Sequence, residues 1–315
     1  MAWRRDHFRS RCRDITVHIG AFSIAIDLRT IPSDLSEEIL ELYSLYPRGD
    51  LNEVTDVDIA LSTPRTFPVF GERKIEVRVN GITPFAAMSH RLGTPMLELG
   101  INWFLASHVT RFLVLHAAVV ERDGGAVLLP GASGAGKSTL CAALVARGWR
   151  LLSDEFALVR SDDGLVQPHP RPISLKERSI EIIATRMPDA HFTRPVRGGL
   201  KGTISFVRAP RSAIENADKP ARPALVVFPK FTREVVTELK PIEKVPAFMQ
   251  LVANSTNYFT MLETGFETLA SLVDGCDHYA LSYHDLDDAM RLIESLKPSS
   301  ERDARASATP STEFR

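Results

Sequence analysis

Apolar and polar residues follow two different rhythms along the chain. At 56–61 (DVDIAL) and 75–79 (IEVRV) they alternate, the period of a half-buried strand. The segment 17–26 (VHIGAFSIAI) has strand composition as well. Between these, SDLSEEIL at 33–40 opens a helix, with Ser33 or Asp34 as its cap and acids in its first turn. A further helix starts near Pro95 and carries Leu97, Leu99, Ile101, Phe104 and Leu105 on its apolar positions. Residues 16–102 therefore read as short strands around one or two helices.

From 112 to about 160 the texture changes to strand, glycine-rich loop, helix, strand. Residues 168–222 interleave proline with basic residues, too polar for a tight core, and predict long loops. A buried strand follows at 224–228 (ALVVF), then helices at 246–253, with Ala247, Leu251 and Val252 apolar, and at 266–273. A strand at 278–283 and a helix at 286–296 end the pattern. The tail KPSSERDARASATPSTEFR has the composition of a disordered segment. The expected fold is α/β, with an N-terminal α+β region over 1–110, a second domain over 111–297 and a disordered tail over 298–315.

Composition narrows the picture. The 315 residues are 44% hydrophobic and 24% charged, enough for two domains or for one with an elaboration. Lys plus Arg (38) nearly balance Asp plus Glu (39), which argues against a protein that coats nucleic acid or an acidic membrane. Cys12, Cys141 and Cys276 are odd in number and far apart. They fit neither a disulfide framework nor a cysteine zinc site, and point to a reducing compartment. No run approaches the roughly 18 apolar residues of a membrane span. The longest, at 21–26 and 113–120, are interrupted or ended by Asp27, His116 and Glu121. The N-terminus, MAWRRDHFRSRCRD, lacks the apolar stretch of a secretory signal. Asp6, Asp14 and the missing amphipathic run set it apart from a transit peptide. A soluble, cytoplasmic protein is the expectation.

The strongest chemical signal is GASGAGKS at 131–138, a complete G-x-x-x-x-G-K-[ST]. The strand-like GAVLLP precedes it and the helical LCAALVAR, stopped by Gly148, follows it. Backbone N–H groups can wrap a polyphosphate only where side chains have little bulk, which explains Gly131, Ala132, Ser133, Gly134, Ala135 and Gly136. The helix beginning near Lys137 adds its positive end, which takes in Ser138 and Thr139. Lys137 is expected to reach the β- and γ-phosphates and Ser138 to ligate Mg²⁺, so the motif predicts binding of a nucleoside triphosphate with its metal.

Asp154 and Glu155 come seventeen and eighteen residues after Lys137, at the end of RLLSDEFALV. One helix and one strand are the return path of a right-handed βαβ unit, whose second strand usually lies beside the first. The acid pair should then sit at a strand end next to the phosphate loop. Phosphoryl transfer to a hydroxyl needs one acid near the metal and one to take the proton. The competing reading is a solvated pair opening a hairpin, since SDDG at 161–164 is a turn. His116 stands in LHAAVV, an otherwise apolar strand close to the loop. A core histidine with a backbone partner and an active-site histidine both remain open from the residues alone.

The run LHAAVVERDGGAVLLPGASGAGKSTLCAALVARGWRLLSDEFALV resembles the catalytic segment of HPr kinase/phosphorylase, and most of the chain, without its first dozen residues and its tail, resembles the bacterial group called HprK-related kinase A. The likeness extends to NGITPF at 80–85, LGINWFLA at 99–106, RPISLKERSIE at 171–181, GGLKGTISFV at 198–207, VVFPKF at 226–231 and NSTNYFTMLETGF at 254–266. The resemblance implies a P-loop core of the HPr kinase/phosphoenolpyruvate carboxykinase type over 111–297. It also implies ATP-dependent phosphorylation of a serine in a protein or peptide. By motif, Asp154 matches the general base, Glu155 the acid near the metal, and His116 the active-site histidine. HPr kinases assemble as hexamers, so a homo-oligomer enters the expectations.

Two departures stand out. Glu155 occupies a position where HPr kinases usually carry Asp, which keeps the charge and lengthens the arm. The downstream E-V-R-G-L-G-I-I-N motif is missing, and the nearest sequence is RGGLKG at 197–202. The reverse phosphorylase reaction and HPr itself as acceptor thus stay open. Arg194, Arg197, Lys201, Arg208 and Arg211 form either a loop that clamps phosphate or a solvated loop. Lys176 is a further candidate, and Asn254, Asn257 and Tyr258 read as packing and loop residues. The alternative to a kinase is a nucleotide-dependent switch or ATPase module that binds a partner without phosphorylating it, and a small-molecule kinase is a third reading. No L-S-G-G-Q signature and no N-K-x-D guanine motif is present, which favours the kinase.

Overall fold

The computed structural model describes residues 14–50, 53–64, 72–198, 202–233 and 235–296; the tail at 298–315 and Lys201 lie outside the described residues. The alternating N-terminal segments build a five-stranded sheet in the order β1-β2-β3-β4-β5. Its strands are β1 (Asp14–Ile19), β2 (Phe22–Asp27), β3 (Val57–Ser62), β4 (Lys74–Val79) and β5 (Met88–Ser89). The helices of this region are α1 (Ser33–Leu42) and α2 (Gly93–His108), and α2 lies across β3 and β4. Gly100 permits the close approach: a Cβ there would lie 2.9 Å from Val77 Cγ2. The inward residues Val17, Ile19, Ile24, Ile26, Ile59, Val77 and Val79 are all buried, as period two requires.

Two local expectations change. The run 17–26 is a hairpin and not one strand, because Gly20, at φ +57°, turns the chain so that β1 and β2 pair antiparallel. Pro32 takes the cap position of α1, its carbonyl accepting from the Ser36 amide, and neither Ser33 nor Asp34 caps through its side chain.

The second region contributes β6 (Phe112–Leu115), β7 (Ala117–Arg122), β8 (Gly125–Pro130), α3 (Lys137–Ala146), β9 (Arg150–Ser153), β10 (Ala157–Arg160) and β11 (Val166–Gln167). The chain continues through β12 (Ile173–Lys176), α4 (Arg178–Arg186), β13 (Val196–Arg197), β14 (Thr203–Val207), α5 (Arg211–Glu215) and β15 (Arg222–Phe231). It closes with β16 (Glu238–Pro241), α6 (Lys244–Ala253), α7 (Leu262–Gly275), β17 (Asp277–Tyr283) and α8 (Leu286–Ser295). The fold is mixed α/β. Its central sheet has six strands in the order β16-β17-β15-β8-β7-β9, and two three-stranded sheets, β11-β10-β6 and β12-β14-β13, flank it. One face of the central sheet buries Leu140, Leu144, Met290 and Ile293 of α3 and α8. The other buries Ala247, Leu251, Leu269 and Leu272 of α6 and α7.

Three features of this region depart from the sequence reading. First, β9 does not lie beside β8. The Asp123-Gly124 turn, with both residues at positive φ, folds β7 back along β8, and β9 takes the far edge of β7. β7 is antiparallel to both neighbours, so β8 and β9 still run the same way. Second, His116 is not inside a strand: it falls between β6 and β7, which belong to different sheets. Third, 168–222 is more than loops. Ile173 and Leu175, opposite Val207 and Ser205, bury one face of the β12-β14-β13 sheet, and Ile204 and Phe206 are buried on the other, opposite Lys176 and Ser174. Among the described residues no helix is long and apolar enough to cross a membrane.

Candidate functional site

The end of β8, the start of β7 and the end of β9 meet at one edge of the central sheet, and the chemistry collects there. From Pro130 the chain loops through 131–136 into the ten-residue helix α3. Gly136 sits at φ +91°, and a Cβ on it would lie 2.1 Å from the Tyr283 hydroxyl oxygen and 3.2 Å from Phe231 Cβ. Only glycine lets the ends of β15 and β17 press on the loop this closely. They also tie it down: the Tyr283 hydroxyl donates to the Gly136 carbonyl at 3.2 Å, and the Phe231 amide donates to the Ala135 carbonyl at 3.1 Å.

Lys137 is buried at the root of the loop. Its Nζ donates to the carbonyls of Gly131 (2.5 Å) and Ala132 (3.1 Å) and lies 3.0 Å from His116 Nε2. Burial pulls the ammonium below its ordinary pKa. The Glu155 and Asp154 carboxylates oppose that shift and Lys176 adds to it. His116 is held from behind, its amide donating to the Asn254 carbonyl at 2.7 Å and its ring edge-on to Phe156 at 5.8 Å. The break between β6 and β7 thus turns an apolar run into a support for an imidazole facing the lysine.

Asp154 follows β9 directly and is 3% exposed. Its Oδ2 accepts from the Ser174 amide at 3.0 Å, while Oδ1 is buried with no donor at hydrogen-bonding geometry. Burial, and then the neighbouring Glu155 charge, push its carboxyl up to about 7, against the pull of the Ser174 amide, the Ser138 hydroxyl and the Lys137 ammonium. Glu155 itself is half-exposed.

A cleft of about 290 Å³ joins these parts. Ser133, Gly134, Gly136, Lys137, Ser138 and Thr139 form one wall, with His116 and Glu155 beside them. Of the residues singled out in sequence, Gly131, Ala132 and Ala135 complete the loop through their backbones, and Asp154 is buried next to the cleft, on the amide of its lining residue Ser174. Lys176 reaches the same cleft from β12, together with Ser174, Ser179 and, from α2, Asn102. The last three had no signal of their own. Strand alternation in ISLK would have placed Ser174 on the face of Lys176, but nothing local brings α2 to the loop.

Of the basic stretch, Arg194, Arg208 and Arg211 make their bonds elsewhere. Arg208 bonds Glu41 and the Ser44 hydroxyl, Arg211 pairs with Glu215 along α5, and the Arg194 amide donates to Glu38. Asn257 is structural, as its sequence setting suggested. Its amide group bonds Val114 N, Val109 O and Phe112 O and pins β6.

The donors at the cleft suit Mg²⁺ bound with phosphate. Mg²⁺ takes hard oxygen ligands, usually one or two carboxylates, and leaves its other positions to water and phosphate. Ser138 and Glu155, both facing the cleft, match that demand. No group of three or more His, Cys, Asp or Glu that could cage an ion occurs among the described residues.

Residues 92–176 match the family described as SynChlorMet cassette protein ScmC. The chain is distantly similar to HPr kinase/phosphorylases. It is 30% identical to that of Listeria welshimeri over 159 residues, 43% of this chain and 51% of the relative. It is 32% identical to that of Bacillus subtilis over 109 residues, 35% of this chain and 34% of the relative. The chain therefore spans about half, or less, of the length of the curated relatives it matches. The Hpr(Ser) kinase/phosphatase structure from Coxiella burnetii aligns with 62% of this chain and 99% of its own, at 14% identity and a TM-score of 0.27, below the range in which a shared overall fold follows.

Proposed function

We propose that this chain is an ATP-dependent kinase with a P-loop core of the HPr kinase/phosphoenolpyruvate carboxykinase type, which phosphorylates a serine hydroxyl of a protein or peptide. The observation that carries the reading is the convergence of the phosphate loop, Lys137, His116 and Glu155 on one small cleft, with Asp154 buried behind it on the Ser174 amide. The loop amides and the N-terminus of α3 receive the triphosphate. Lys137, already desolvated, exchanges its two loop carbonyls for phosphate oxygens, and His116 steadies the ammonium. Magnesium, where bound, would be held by Ser138 and Glu155 and supplies positive charge to the phosphate oxygens.

The serine oxygen forms a bond to the γ-phosphorus as the bond from that phosphorus to the β,γ-bridging oxygen breaks, and ADP leaves with the electron pair. The serine proton passes to Asp154. A carboxyl near 7 is matched to this task, since it is partly ionised at neutral pH and still basic. The Ser174 amide fixes one oxygen and leaves Oδ1 to take the proton.

A second reading exchanges the two acids, because Glu155 and not Asp154 lines the open cleft. Transfer of radiolabelled γ-phosphate, followed across pH in wild type, Asp154→Asn and Glu155→Gln, decides. With Asp154 as base, Asp154→Asn loses transfer by roughly 10²–10⁴-fold. The wild-type rate then rises with pH and levels above about 7, and Glu155→Gln keeps transfer with that rise moved to lower pH, because it loses the Glu155 charge that helps raise the Asp154 carboxyl. The opposite pattern assigns the base to Glu155. ATP bound by wild type with no serine phosphorylated would instead favour a nucleotide-dependent switch.

A further inference from the structure

A second cavity, about 370 Å³, adjoins the phosphate cleft and differs from it in character. Its walls are mainly apolar, from Leu92, Met96 and Leu99 on the α2 side and from Pro172, Ile204 and Phe206 on the β12-β14 side. Four residues line both spaces: Asn102, Glu155, Ser174 and Lys176. The two are therefore compartments of one site. They meet at the acid pair, since Ser174 is the residue whose amide holds Asp154.

Their sides are not equivalent. The first compartment contains the loop and Lys137, which take the phosphates. The second lies on the acid side. An acceptor hydroxyl must approach the γ-phosphorus from the side away from the leaving ADP, within reach of the base. Whatever occupies the second compartment is attached to the acceptor and not to the nucleotide.

One charged group at the second cavity, Glu98, is held in a buried network. Arg171, almost fully buried, bonds Glu98 at 3.1 Å and donates to the side chain of Asn102, while the Tyr43 hydroxyl donates to the other oxygen of Glu98. The Glu98 charge at the edge of the cavity is thus already answered within the protein, and an occupant gains nothing by carrying a charge to it. The deep walls offer only dispersion and desolvation, which reward an aliphatic or aromatic group.

We infer that this cavity receives a large apolar side chain adjacent to the serine of a peptide acceptor, so that the enzyme selects serines flanked by Leu, Ile, Met or Phe. The inference rests on the kinase reading above and adds the chemistry of the acceptor.

The test is a peptide library with serine fixed and each flanking position randomised, incubated with Mg·ATP and sequenced after capture of phosphopeptides. The expected result is enrichment of large apolar residues over Gly, Asp and Lys at one flanking position, by roughly tenfold to hundredfold. Leu99→Trp and Met88→Trp each fill the cavity from a different wall, and binding of a fluorescent ATP analogue identifies which variant is folded. A folded variant is expected to lose the enrichment. Phosphorylated serines without an apolar preference at any position overturn the inference and leave the kinase intact. Enrichment that persists in both folded variants also overturns it, because the side chain then binds elsewhere. No phosphorylated serine from wild type removes the kinase reading, and this inference with it.

Discussion

Asp154→Asn, measured without nucleotide, tests the electrostatics of the cleft through stability. In the folded chain burial and Glu155 raise this carboxyl from 3.8 to about 7, whereas in the unfolded chain it titrates normally. Between those values the folded state keeps a proton that the unfolded state has released. The contribution of Asp154 to stability is therefore greatest below about pH 4, declines as pH rises, and levels off above about 7. At about 1.4 kcal/mol per pH unit the full decline is about 4 kcal/mol, of which about 2.5 kcal/mol falls between pH 5 and 8. Asparagine can still accept from the Ser174 amide, but its NH₂ group takes the place of the buried, unpartnered Oδ1 at a cost of about 1–3 kcal/mol. That cost does not depend on pH. The stability of the variant relative to wild type should accordingly climb by about 2.5 kcal/mol from pH 5 to pH 8. Urea unfolding of both proteins at several pH values gives the difference directly. Parallel curves would refute the reasoning, because they would mean that Asp154 ionises in the folded chain as readily as in water.

Three further outcomes follow from contacts at or near the cleft. Lys137→Ala should weaken ATP binding by roughly tenfold to hundredfold in calorimetry, the loss of a charge-assisted contact to phosphate, and unchanged affinity would remove the lysine from the phosphate site. Gly136→Ala should destabilise by at least about 1–3 kcal/mol, since alanine is strained at φ +91° and its Cβ meets the Tyr283 hydroxyl. Adding Tyr283→Phe should restore part of that loss on denaturant unfolding but not all, because Phe231 Cβ stays 3.2 Å away. Asn257→Ala removes three buried hydrogen bonds and should cost about 3 kcal/mol, and a change below about 1 kcal/mol would show that β6 does not depend on it.

What was legible in the sequence was local. The phosphate loop declares itself through glycines and a lysine at fixed spacing, and α3 through the glycine that stops it. The acid pair was placed at the right strand end even though the strand's neighbour was not, because direction depends on one crossover and adjacency on the whole sheet. The Asp123-Gly124 turn announces the β7-β8 hairpin, but nothing local states that β9 takes the outer edge. The β12-β14-β13 sheet was obscured because its apolar pairs are diluted among prolines and arginines. The basic stretch misled for the converse reason. The acids it meets lie on α1 more than 150 residues earlier: Glu41 pairs with Arg208, and Glu38 accepts from the Arg194 backbone amide. Asn102 belongs to the same class, a residue that α2 carries across from the N-terminal region to the cleft.

The interposed strand has a geometric consequence. Neighbouring strands are about 4.8 Å apart, so with β7 between them the ends of β8 and β9 stand roughly 10 Å from one another. Side by side, the strands would bring carboxylate and lysine into direct pairing and close the gap against any third party. At double spacing a group of phosphate size fits between them, with His116 at the head of the intervening strand. The width of the cleft is thereby fixed by hydrogen-bonded backbone, where side-chain substitutions scarcely reach it.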